Sequence, residues 1–111
     1  MPFVSVCSAM PISEVKMDVI QREVGRLITI IPGKTIDNCM TKIEGNCRLF
    51  MGGEPAKAVF CEIRLRGAAP KEKKSELTEK LNGLFVTELG AEKVYTCFME
   101  FEEWGNGANY S

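Results

Sequence analysis

A proline at the second position is the residue with the most unusual chemistry in this chain. Pro2 stands behind an initiator methionine of the kind removed efficiently when the next residue is small, and removal would expose a secondary amine. A free α-amino group titrates at roughly 7.7–8.0, and a proline amine is intrinsically more basic. An apolar pocket beside fixed cations disfavours the ammonium form. A drop of about two units, worth about 2.7 kcal/mol, leaves a usable neutral fraction near pH 7. Such an amine is a general base that needs no side chain. Taken alone, Met-Pro is also an ordinary start for a cytosolic chain.

Three cations are candidates to hold an anion. Lys34 follows the Pro32-Gly33 helix stop, on a loop that a substrate can reach, and Arg64 and Arg66 share the polar face of a strand. Each also reads as a solvated surface charge, as does the run Lys71-Glu72-Lys73-Lys74. Histidine is absent, which excludes a Ser-His-Asp triad, a Cys-His pair, histidine-ligated zinc and imidazole acid/base chemistry. Fourteen Lys and Arg against fifteen Asp and Glu leave a net charge of −1, without the basic excess that nucleic-acid binding calls for.

The five cysteines, Cys7, Cys39, Cys47, Cys61 and Cys97, are odd in number and contain no C-x-x-C pair. They read as reduced, buried thiols acting as small hydrophobes, not as a zinc site or a thioredoxin-like motif. No metal or cofactor is expected. The opening MPFVSVCSAMP lacks the basic and long apolar regions of a signal peptide, and Leu27 to Ile31 is too short to span a bilayer. The expectation is a cytoplasmic protein with no membrane partner, leaderless secretion being left open.

The elements that must position these groups follow from periodicity, in a chain whose 111 residues suffice for one domain and one core. Pro2 to Cys7 alternates as a strand does. Ser13 caps a helix whose apolar residues Ile20, Val24, Leu27, Ile28 and Ile31 fall on one face. Asn38 to Glu44 reads as a short strand, and 49–55 as a turn-rich connector. Ala58 to Arg66 alternates with Val59, Cys61, Ile63 and Leu65 inward. Pro70 opens a second helix carrying Leu77, Leu81, Leu84 and Phe85. Gly90 stops it, Val94 to Phe101 is the last strand, and the tail EEWGNGANYS is a turn or loop.

A shift of 57 residues lays Ile20 on Leu77, Val24 on Leu81, Leu27 on Leu84, Ile28 on Phe85 and Gly33 on Gly90. The expected fold is α/β: two pseudo-symmetric βαβ units, about 2–55 and 56–111, in a four-stranded mixed sheet with both helices on one face. Such a sheet leaves its other face bare, so self-association is expected. A ferredoxin-like domain has the same element order.

Particular residues discriminate. The opening MPFVSV, Pro-Gly-Lys at 32–34, LFMGGEP at 49–55, AVFCEIRLRG at 58–67 and VYTCFMEFEEWGNG at 94–107 together resemble the tautomerase superfamily. The resemblance is to its branch of macrophage migration inhibitory factor and D-dopachrome tautomerase, and it covers essentially the whole chain. It implies a homotrimer with active sites between subunits. The N-terminal proline would then move a proton between carbon and oxygen of a 2-oxo acid such as phenylpyruvate. Pro2 matches that base, Lys34 the lysine that meets the substrate carboxylate, and Tyr95 a tyrosine contributed by a neighbouring subunit. Leu65 and Arg66 are the two positions that match the residue whose backbone N–H helps bind substrate.

Three departures from the family pattern stand out. Cys97 replaces a pocket asparagine. The tail has WGNG, one residue short, with Tyr110 a stand-in for the closing aromatic. The C-x-x-C pair of the vertebrate cytokine is missing. Enolisation needs a base at the α-carbon, cations on the carboxylate and a dry pocket for an aryl group. The reading is therefore a cofactor-free keto–enol tautomerase of phenylpyruvate-like 2-oxo acids. Its alternative is a cytokine-like binding trimer with a vestigial site.

Overall fold

A computed structural model describes residues 2–111; Met1, whose removal the sequence analysis expects, lies outside the described residues. Strand β1 (Phe3–Ser8) buries Val4, Val6 and Ser8 and leaves Phe3, Ser5 and Cys7 half-buried, the period-2 pattern of its sequence. Helix α1 (Glu14–Leu27) starts at Ser13, whose hydroxyl oxygen accepts the Lys16 N–H at 3.2 Å. The apolar spacing predicts helix to Ile31, but α1 ends at Leu27 and tightens into a 3₁₀ turn over Ile28–Ile30. Thr29 Oγ1 donates to the Arg26 carbonyl at 2.6 Å, and Pro32 excludes helical geometry for Ile31, which is extended at φ −75° and ψ 121°. Ile28 and Ile31 are nevertheless buried.

Lys34 N–H then closes onto the Ile31 carbonyl at 3.1 Å with Gly33 at φ 81°, the pattern of a type II turn with proline second. Another 3₁₀ turn over Ile36–Asn38 delays β2 (Met40–Glu44) by two residues. The connector is a hairpin, β3 (Phe50–Met51) and β4 (Glu54–Pro55). Its Gly52 and Gly53 both have positive φ, 59° and 83°, as a type I′ turn demands. Strand β5 (Ala58–Arg66), helix α2 (Lys71–Leu89) after Pro70, and β6 (Lys93–Phe101) follow the sequence pattern. The tail is a second small hairpin, β7 (Gly105–Asn106) with β8 (Asn109–Tyr110).

The main sheet has the order β2-β1-β5-β6. Each helix joins two neighbouring parallel strands, β1 to β2 and β5 to β6, while β1 and β5 pair antiparallel. Direct adjacency of β1 and β2 separates this topology from the split βαβ of a ferredoxin-like domain. Val4, Val6, Val59, Cys61, Ile63 and Leu65 face the helices and pack on Ile20, Val24, Ile28, Leu77, Leu81 and Phe85 in one core. The opposite face carries no helix. By register its rows run Met40–Phe3–Arg64–Met99, Lys42–Ser5–Glu62–Cys97 and Glu44–Cys7–Phe60–Tyr95. Among the described residues no helix is long and apolar enough to cross a membrane.

Candidate active site

Pro2 is buried at the head of β1, and its carbonyl accepts the Met40 N–H at 2.9 Å. Extending the β1–β5 register by one residue sets Pro2 opposite Leu65. The Leu65 side chain is fully buried in the core, so only its backbone is available to a ligand. Arg66, the next residue, ends β5 on the open face. The type II turn after α1 delivers Lys34 to this point, where its Nζ donates to the Arg66 carbonyl at 2.9 Å. An ammonium has three donors, so this bond leaves two for an anion. Arg66 Nε donates to the Ser111 backbone oxygen at 3.0 Å, which ties the tail to the same end of the sheet. Pro2, Lys34, Leu65 and Arg66 are thus brought together.

Arg64 lies one register step away. Its guanidinium sits over the Phe3 ring, 5.9 Å from the centroid, with Nη2 3.4 Å from Glu62. Both arginines therefore belong to the open face, and Arg66 is the one beside Lys34.

Tyr95 and Cys97 are elsewhere. Tyr95 aligns with Phe60 and Cys7, five residues along the strand direction and two strands across from Pro2. That separation is roughly 20 Å, so one chain cannot present Tyr95 to its own Pro2. The tyrosine is 49% exposed on the open face, beside Phe60 at 41%. Burial, and then the Glu62 carboxylate, push the Cys97 thiol above its ordinary value, with Arg64 opposing. Cys97 is held as a neutral thiol on that face.

Two features near Pro2 escaped the sequence reading. Met40 borders an open cleft of about 300 Å³ with Trp104, Gly105, Asn106 and Gly107, at the strand position that bonds Pro2. The tail reaches this cleft because it folds as a hairpin, and the signal that could have shown it is Asn-Gly at 106–107. A larger groove of about 420 Å³ runs between the helices, on the far side of the sheet from this chemistry.

The family model for macrophage migration inhibitory factor (MIF) matches residues 1–111. The chain belongs to the MIF family. Its fold is similar to that of Leishmania major MIF2, at 18% identity, a TM-score of 0.89, and coverage of 100% of this chain and 97% of that one. It is also similar to the MIF-like protein of Entamoeba histolytica, at 23% identity, a TM-score of 0.85, and coverage of 99% and 98%. A fused 4-OT, a symmetric trimer, matches at 14% identity and a TM-score of 0.83, over 96% of this chain and 93% of that one. No curated protein matches in sequence. Family and fold place the chain in the tautomerase superfamily and support a tautomerase-type function in general terms.

Proposed function

We propose that this MIF-family protein is a cofactor-independent keto–enol tautomerase of phenylpyruvate-like 2-oxo acids, with Pro2 as general acid and base after loss of Met1. The amine takes the proton from one of the two atoms, carbon or oxygen, and returns it to the other. Lys34 and Arg66 hold the substrate carboxylate, and the backbone at Leu65 and Arg66 supplies a neutral donor. A fixed cation pair beside a buried amine favours its neutral form and stabilises the enolate that develops.

The observation that carries the reading is the convergence of buried Pro2 with Lys34 on Arg66, at 2.9 Å, at one end of the sheet. Tyr95 and Cys97 enter as wall residues from a neighbouring copy in a homotrimer. The exposure of Tyr95 and the half-buried position of Cys97 on a helix-free face, and the distance of Tyr95 from Pro2 within one chain, support that arrangement. The test is an absorbance assay of phenylpyruvate enol–keto conversion with wild type and Pro2→Gly. Loss of a positioned acid/base should slow the reaction by about 10²–10⁴-fold. Equal rates would remove the reading.

A further inference from the structure

Two cysteines that the sequence separates by forty positions meet on the open face. Cys7 pairs with Glu44 in the β1–β2 register. The chain leaves β2, turns back, and bonds Cys47 N–H to the Ser8 carbonyl at 2.9 Å, while Cys47 Sγ donates to the Glu44 carbonyl at 3.7 Å. Each cysteine is thereby set beside the same strand position, Glu44, and the Cys47 thiol is close enough to Cys7 to push its thiol up.

The turn that does this is closely fitted. Asn46 has φ 56°, the positive-φ region that asparagine tolerates better than most residues, and its N–H bonds the Met10 carbonyl at 3.1 Å. A Cβ on Gly45 would meet the Ile12 backbone nitrogen at 3.0 Å and the Met10 carbonyl at 3.2 Å, so only glycine lets these segments approach. The approach holds residues 45–47 against the chain that follows β1. Among the described residues no three Cys, Asp, Glu or His side chains are grouped to hold a metal. The two thiols therefore stand as a pair and not as part of a metal centre.

We propose that Cys7 and Cys47 form a redox-sensitive site, a dithiol that closes to a disulfide when it meets a small disulfide such as oxidised glutathione. Cys47, on the connector, attacks one sulfur of the oxidant; the Cys47–S bond forms, the oxidant's S–S bond breaks, and one thiol leaves carrying the Cys47 proton. Cys7 then attacks the Cys47 sulfur, the mixed disulfide breaks, and the second thiol leaves with the Cys7 proton. Two protein thiols are oxidised by two electrons, and one small disulfide is reduced to two thiols. Burial, the adjacent Cys47 thiol and the Glu44 carboxylate push the Cys7 thiol up to about 11, with Lys42 opposing. Cys7 is thus mostly protonated at neutral pH, and the resolving step, which needs its thiolate, is the slower of the two. The closed bond would tie β1 to the β2–β3 connector around the α1 crossover.

The experiment incubates the folded, reduced chain with oxidised glutathione at neutral pH, followed by intact mass and peptide mapping of the thiol-blocked product. The expected product has lost two hydrogens, carries no glutathione, and yields a peptide joining Cys7 to Cys47. Cys7→Ser should instead stop at a glutathione adduct on Cys47. Cys47→Ser should form no internal disulfide, and its circular dichroism guards against loss of fold. A product that carries only glutathione adducts would overturn the proposal. So would a disulfide through Cys39, Cys61 or Cys97, or a Cys7–Cys47 bond that forms only in denaturant.

Discussion

The two halves of the sheet, β1–α1–β2 and β5–α2–β6, bury the same pattern and then leave their helices by different routes. Ile20, Val24 and Ile28 of the first half are as buried as Leu77, Leu81 and Phe85 of the second, and the 57-residue shift superposes them. After α2, left-handed Gly90 bends the chain inward, its N–H on the Val86 carbonyl at 3.1 Å, and Ala91 packs into the core. After α1, the β-branched run and Pro32 loosen the helix into a 3₁₀ turn. The type II turn that follows carries Lys34, the counterpart of Ala91, onto the Arg66 carbonyl. The scaffold is duplicated and the chemistry is not. Breaking the helix early in one copy turns a core-filling position into a cation beside Pro2.

The shared part of this comparison should respond most strongly to substitution. Phe85→Ala is expected to cost about 3–5 kcal/mol and its counterpart Ile28→Ala about 2–5 kcal/mol, read from denaturant unfolding. A cost below about 1 kcal/mol in either would mean that the two helices do not share one packed core.

The unshared part should appear in kinetics. Lys34→Ala is expected to raise KM for the 2-oxo acid by about 10- to 100-fold with little change in kcat. A charge-assisted bond to the carboxylate contributes roughly 1.5–3 kcal/mol to ground and transition states alike. Glu92→Ala, beside the matching position in the second half, should leave both constants alone. An unchanged KM in Lys34→Ala would make that lysine an ordinary loop residue.

The smallest effect concerns a link peculiar to the second half. Glu100 near the end of β6 accepts from Lys74 Nζ at 2.9 Å and from the Ala69 N–H, joining the start of α2 to the sheet. These donors, the lysine first, hold its carboxyl below the ordinary value of 4.5. The stabilisation is therefore present in full above that value and is lost as pH falls through the lower folded one. Glu100→Gln should cost about 0.5 kcal/mol at pH 7 and nothing at strongly acid pH. A pH-independent difference would assign the loss to packing.

Much of the fold was legible because burial imposes a period. The β5 strand is bounded where its alternation begins and ends, and Ser13 and Gly90 cap the helices as their types suggest. Apolar spacing reports which side chains are buried, not which backbone carries them, so the α1 pattern ran on through a 3₁₀ turn to Ile31. The tail and connector hairpins were missed as strands because two-residue ladders have no period to read.

The Pro2 end of the site was legible from residue types and family likeness. The neighbourhoods of Tyr95 and Cys97 depend on register across three strands, which local pattern does not contain. The approach of Cys47 to Cys7 depends on Gly45 and Asn46 folding one turn back on β1, and nothing in cysteine spacing reports that.

The central claim is that a free proline amine at position 2 does the proton transfer. Retained Met1 converts that amine into an amide, which has no basic lone pair. The direct measurement separates purified chains with and without Met1, confirms each by mass spectrometry, and assays both with phenylpyruvate. The account expects activity only in the fraction that lacks Met1. Full activity in the fraction that keeps it would contradict the account.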